Sequence, residues 1–142
     1  MSGAAPVREE GAPVPVALVV EDEAVIRAML AEELEDAGFA VVEADGADAA
    51  VAAFAGRSDI GIVVTDVRMP GSMDGIGLAR WMRQHAPAVP IIITSGFAIQ
   101  PDAAAINPAI VRVVAKPYVG RDIAEWMAAL VSGTGTAEGA RR

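Results

Sequence analysis

Apolar residues follow two rhythms along this chain. One is the short unbroken run: Ala17-Leu18-Val19-Val20, Ile62-Val63-Val64-Thr65, and Val111 to Ala115 with Arg112 inserted. Runs of this length read as strands buried on both faces, hence parallel strands under helices. The other rhythm is helical. Val25, Ile26, Met29, Leu30 and Leu34 recur on one face of a helix expected over Glu23 to Ala37, and Gly38 closes it in the left-handed region. Together the two rhythms predict strands over Val16–Glu21, Phe39–Glu43, Ile60–Thr65, Pro90–Thr94 and Ile110–Ala115. Helices are expected over Glu23–Ala37, Ala47–Ala55, Ile76–His85, Ile99–Asn107 and Val119–Val131. The third of these turns Leu78, Trp81 and Met82 inward; the last does so with Ile123, Trp126, Met127 and Leu130. The fourth is short and flanked by Pro101 and Pro108. Met69 to Gly75 reads as a loop, punctuated by Pro and Gly.

Strict alternation of strand and helix argues for βαβ units with right-handed crossovers. Five repeats give an α/β fold: a flavodoxin-like (βα)5 three-layer sandwich, its parallel sheet in the order 2-1-3-4-5. Such a sheet gathers the carboxyl ends of its strands at one edge, where ligands bind beside the reversal of strand order. The expected organisation is a flexible leader over residues 1–15, one compact domain over 16–131, and a disordered tail over 132–142.

Composition narrows the function classes. The chain has 142 residues, 54% of them hydrophobic, enough for one packed core. No apolar stretch approaches the ~20 residues of a membrane span, and the N-terminus has no secretory pattern, so a cytoplasmic location is expected. A net charge of -8 disfavours nucleic acid as a partner. With no cysteine and a single histidine, His85, thiolate and multi-histidine metal sites are excluded.

What remains is chemistry at the strand ends. The first strand stops at Glu21-Asp22, the third at Asp66, the fifth at Lys116-Pro117, and the fourth at Thr94-Ser95. Clustered carboxylates repel one another and raise each other's pKa unless a cation neutralises them. All-oxygen ligation selects Mg²⁺, Mn²⁺ or Ca²⁺. Lys116 adds a point charge suited to phosphate, and either Thr94 or Ser95 adds a hydroxyl. These are the parts for in-line phosphoryl transfer onto the central carboxylate, Asp66. Taken singly, the same residues have plainer readings: Asp22 as a helix N-cap, Asp66 as a turn residue, and Ser95-Gly96 as a turn. Trp81, Trp126 and Phe54 read as core, and His85 as a structural residue near a helix C-terminus.

LVVEDE at Leu18–Glu23, VVTDVRMPGSMDG at Val63–Gly75, PIIITSG at Pro90–Gly96 and AKPY at Ala115–Tyr118 resemble the receiver domain of bacterial response regulators, most of all the stand-alone kind. The resemblance covers about Val16 to Val131. It implies that Glu21 and Asp22 hold Mg²⁺ (Mn²⁺ being an alternative), with Asp66 and the backbone carbonyl of Arg68 as further ligands. Asp66 would be the phosphoacceptor, Lys116 would bridge it to the phosphoryl group, and Ser95 rather than Thr94 would be the switch hydroxyl. The Lys116-Pro117 bond is expected to be cis. The implied partners are a sensor histidine kinase or a histidine phosphotransfer protein and an unknown downstream protein. With no output domain expected after Val131, the module would act by protein contact, as a monomer or weak homodimer. It would not be an enzyme beyond its own phosphorylation and dephosphorylation. One departure stands out: Val113 occupies the position where receivers often carry an aromatic switch residue.

Three alternatives have marks of their own. A Mg²⁺-dependent aspartyl-phosphate phosphatase usually has a second acid two residues after its nucleophile, where this chain has Arg68. A flavin binder needs a Ser/Thr/Gly-rich loop after the first strand, where EDEA stands. A degenerate receiver used as a scaffold would not need the acids and the lysine intact.

Overall fold

The computed structural model describes residues 14–69, 71–96 and 102–132. Five strands, β1 (Val16–Val20), β2 (Ala40–Ala44), β3 (Ile60–Asp66), β4 (Ile91–Ser95) and β5 (Ile110–Ala115), alternate with five helices. The helices are α1 (Ala24–Asp36), α2 (Ala47–Gly56), α3 (Gly75–His85), α4 (Ala103–Ile106) and α5 (Gly120–Ser132). All strand pairs are parallel and the sheet order is β2-β1-β3-β4-β5, as the alternation predicts.

Period-2 side-chain alternation in the strands splits the core into two layers. Leu18, Val20, Val63, Ile91 and Ile93 face α2, α3 and α4, where Ala50, Leu78, Met82 and Ile106 meet them. Ala17, Val19, Ile62, Val64 and Ile92 face α1 and α5, against Leu30, Leu34, Ile123 and Met127. Phe54 and Trp81 pack half-buried on the first layer, Trp126 on the second. The Trp126 ring also carries the Arg112 guanidinium 4.0 Å from its centroid. His85 closes α3, its ring stacked on Trp81 and its Nδ1 2.9 Å from the Trp81 carbonyl, which can only accept.

Four expectations change. β5 is not buried on both faces: it is an edge strand, with Val111 41% exposed and Arg112 and Ala115 exposed. On α1, Val25 and Met29 are 71% and 62% exposed, and the inward face is Leu30, Ala31 and Leu34. The predicted apolar arc was wider than the strip α1 can lay on the sheet. Asp22 is not the N-cap of this helix: Glu23 is, and no side chain caps it. The fourth helix is a single turn, its expected start lying outside the described residues. Asp102 caps that turn. Two contacts fasten the segment to α3: Arg83 Nη1 donates to the Ala105 carbonyl at 3.0 Å, and buried Asn107 donates to the Ala79 carbonyl at 2.9 Å. Val113 is half-buried against the first layer. The expected leader lies outside the described residues except for Val14 and Pro15, and the expected tail lies outside them beyond Ser132.

Candidate functional site

Every site residue sits within two residues of a strand's carboxyl end, because parallel strands deliver those ends to one edge. Glu21 and Asp22 follow β1. Asp66 ends β3, Ser95 ends β4, and Lys116 follows β5. Arg68 lies two residues beyond Asp66, in the loop to α3.

One carboxylate oxygen from each of Glu21, Asp22 and Asp66 lies within 4.8 Å of the others. Glu21 and Asp66 are buried, at 3% and 6% exposure, whereas Asp22 is open to solvent. Lys116 Nζ donates to Asp66 Oδ2 at 2.7 Å and lies 3.6 Å from Glu21 Oε1. The Lys116-Pro117 bond is cis. Thr94 and Ser95 are both buried. Thr94 pairs with Asp66 in the sheet, and the Ser95 carbonyl accepts from the Lys116 amide at 2.8 Å. The site draws Glu21, Asp22, Asp66 and Lys116 together, and β4 brings Thr94 and Ser95 to the same edge of the sheet.

Burial sets the electrostatics. It pushes the Glu21 carboxyl above the usual glutamate range, against the pull of the Glu23 N–H and of Lys116. For Lys116, burial alone would lower the pKa. The hydrogen bond to Asp66 and the attraction of Asp66 and Glu21 together outweigh it, so the ammonium is held above the ordinary lysine value. Burial, with the Glu21 charge behind it, also raises the half-buried Tyr118 phenol. One ammonium faces three acids, and the most buried of them resists ionising. A hard divalent cation fits this donor set, since it supplies the missing positive charge and prefers oxygen ligands.

Two residues that sequence reasoning passed over help build the site. Gly75 opens α3 directly beneath Asp66: its N–H donates to the Val67 carbonyl at 2.8 Å, and a Cβ there would run into the Asp66 carbonyl oxygen. The readable signal was a Gly following the N-cap Asp74, which accepts from the Gly77 N–H at 2.8 Å. Arg27, on α1, donates through Nη1 to the Glu21 carbonyl at 2.8 Å and through Nε to Glu43 at 3.1 Å. A lone Arg on a half-polar helix gave no sign of that reach. A groove of about 510 Å³ lies between α1 and the β5–α5 connection, walled by Ile26, Met29, Leu30, Pro117 and Tyr118, and Lys116 lines it as well.

The order of this sheet and its acid-and-lysine edge together define a class of α/β signalling module. The response regulator receiver domain model matches residues 17–128, and the chain belongs to that family. It is 40% identical over 101 residues to the transcriptional regulatory protein FixJ of Bradyrhizobium diazoefficiens, covering 70% of this chain and 48% of FixJ. It is 34% identical to the response regulator receiver protein CpdR of Brucella abortus, covering 75% of this chain and 88% of CpdR. The chain therefore spans about half the length of FixJ and most of CpdR. Among solved structures, a response regulator receiver protein from Pseudomonas putida superposes with a TM-score of 0.73 at 32% identity, covering 82% of this chain and 97% of that one. The Thermotoga maritima response regulator TrrA, solved in complex with Mg²⁺-BeF, shares the fold with a TM-score of 0.68 at 24% identity, over 80% of this chain and 96% of that one. Among the described residues, no helix is long and apolar enough to cross a membrane.

Proposed function

We propose that this receiver accepts a phosphoryl group on Asp66 from the phosphohistidine of a sensor kinase or a histidine phosphotransfer protein. The observation that carries the reading is the Lys116 ammonium hydrogen-bonded to a buried Asp66 whose neighbours are two further acids. In the step, Asp66 Oδ1, the oxygen that Lys116 does not hold, attacks phosphorus. The phosphorus–nitrogen bond of the donor breaks, and its electron pair returns to the imidazole. Glu21, Asp22, Asp66 and the Arg68 carbonyl are the residues that would hold Mg²⁺, with Mn²⁺ a substitute. The bound ion would neutralise charge on the transferring oxygens. Lys116 bridges Asp66 and the new phosphoryl group, and the Ser95 hydroxyl donates to a phosphoryl oxygen. The product carries about -1.5 to -2 charges at pH 7, which Lys116, Ser95 and the bound ion would have to absorb.

The chain turns over no external metabolite in this reading. The donor sits against the acid edge, where α1 exposes Val25 and Met29, the latter on the wall of the groove, for apolar contact. A cytoplasmic location, action through protein contacts and a monomer or weak dimer belong to the same proposal. The absence of an acid at Arg68 weighs against the phosphatase alternative. The test is incubation with Mg²⁺ and acetyl phosphate, with and without a chelator, followed by intact mass. One phosphate per chain, dependent on Mg²⁺ and lost in Asp66→Asn, is expected. Multiple-turnover hydrolysis of small phosphate esters without a stable adduct would favour the phosphatase instead.

A further inference from the structure

The acid pair is aimed by a residue outside it. β2 ends at Ala44, paired with Val20 of β1. One residue on, the Glu21 N–H still donates to the Ala44 carbonyl at 3.1 Å, but there the ladder stops. The Glu21 carbonyl belongs to the peptide that joins Glu21 to Asp22, and its rotation sets the direction in which each acid leaves the chain. Arg27 takes that carbonyl from the second turn of α1, at 2.8 Å. The guanidinium is itself held by Glu43 of β2, so one planar fork ties α1, the end of β1 and β2 together. The Arg27 side chain is only 19% exposed, and this limits its alternatives. Asp22 is exposed, so its placement depends on its backbone rather than on packing.

We infer that Arg27 is a positioning residue for divalent-cation binding: by clamping the Glu21–Asp22 peptide it holds the two carboxylates in the arrangement the ion requires. The inference rests on the receiver reading and concerns a residue that reading does not use. Its sign is diagnostic. As a bare charge, Arg27 would oppose a nearby cation, and its removal would tighten binding. As a clamp, its removal loosens binding. Residues that orient metal ligands from outside the coordination shell typically contribute about 10- to 100-fold in affinity.

The experiment is calorimetric titration of the full chain with Mg²⁺ alone, on wild type, Arg27→Gln, Arg27→Lys and Asp22→Asn, with thermal melts alongside. A second readout is the rate of labelling by acetyl phosphate against Mg²⁺ concentration. The expected result is a Mg²⁺ dissociation constant raised about tenfold or more in Arg27→Gln. Arg27→Lys should fall between it and wild type, since one ammonium cannot hold both partners. The labelling rate at saturating Mg²⁺ should recover, because the defect lies in binding the ion. Should Arg27→Gln fail to fold, Arg27→Lys carries the test. Wild-type or tighter Mg²⁺ affinity in the folded variants, with only a lower melting temperature, overturns the inference alone. If wild type binds no Mg²⁺, the receiver reading falls and takes this inference with it.

Discussion

Individual side chains here trade stability for chemistry. Glu21 is buried and its pKa is raised, so the ion-free fold holds its proton more tightly than the unfolded chain does. Its contribution is therefore greatest below the ordinary glutamate pKa and is lost as pH rises through the raised folded value. Glu21→Gln removes that cost: it should raise the melting temperature of the ion-free protein near neutral pH and abolish stabilisation by Mg²⁺, both read in one set of melts. Lys116 follows the same sign in a more alkaline window, so near neutral pH it stabilises where Glu21 costs. Its raised pKa means that its stabilising contribution is complete below the ordinary lysine value and disappears as pH rises through the folded one. As the only lysine in the chain, it gives a single side-chain NMR signal, which should titrate later than a free lysine in wild type and earlier in Asp66→Asn. Gly75 is the third case. A methyl group there must displace the Asp66 backbone, so Gly75→Ala should cost about 1–3 kcal/mol and cut labelling by acetyl phosphate well beyond that loss of folded protein.

At the level of elements, α1 serves two masters. Its buried strip anchors the second core layer, while Val25 and Met29 are exposed, Met29 on the wall of the groove. Leu34→Ala should cost about 2–5 kcal/mol in denaturant unfolding, and Met29→Ala no more than about 0.5 kcal/mol. A large stability cost at Met29 would mean that the outward face is covered. This helix also marks where the sequence stops being readable. Its existence follows from its period, but its inward face does not, since five apolar residues compete for a strip that takes Leu30, Leu34 and the inconspicuous Ala31. The strands were clearer, because β1, β3 and β4 are buried on both faces and carry unbroken apolar runs. The runs of β1 and β3 made Glu21 and Asp66 legible, since a charge that ends such a run must sit at the carboxyl edge of the sheet; Lys116 was marked less sharply, by the run of β5 that Arg112 interrupts. Arg27 and Gly75 were not legible, because their roles depend on which backbone atom lies opposite them. The short α4 was half-legible from its flanking prolines, but its attachment to α3 through Arg83 and Asn107 has no local signature.

For the molecule as a whole, charge organises function. The chain carries -8, and three acids crowd one edge of the sheet with a single ammonium to balance them. Mg²⁺ should therefore stabilise the folded protein logarithmically with its free concentration above the dissociation constant, by about 2.7 kcal/mol at a hundredfold excess. Melting that does not respond to Mg²⁺ would contradict a divalent site. The central claim, though, concerns the place where the strand ends meet: one carboxylate among them is the nucleophile. The most direct measurement is to label the protein with acetyl phosphate and Mg²⁺, trap the acyl phosphate with borohydride and locate the reduced residue by peptide mass spectrometry. The account requires the modification at Asp66 and nowhere else. A trapped residue at Glu21, at Asp22 or away from this edge, or none at all in protein that binds Mg²⁺, would contradict it.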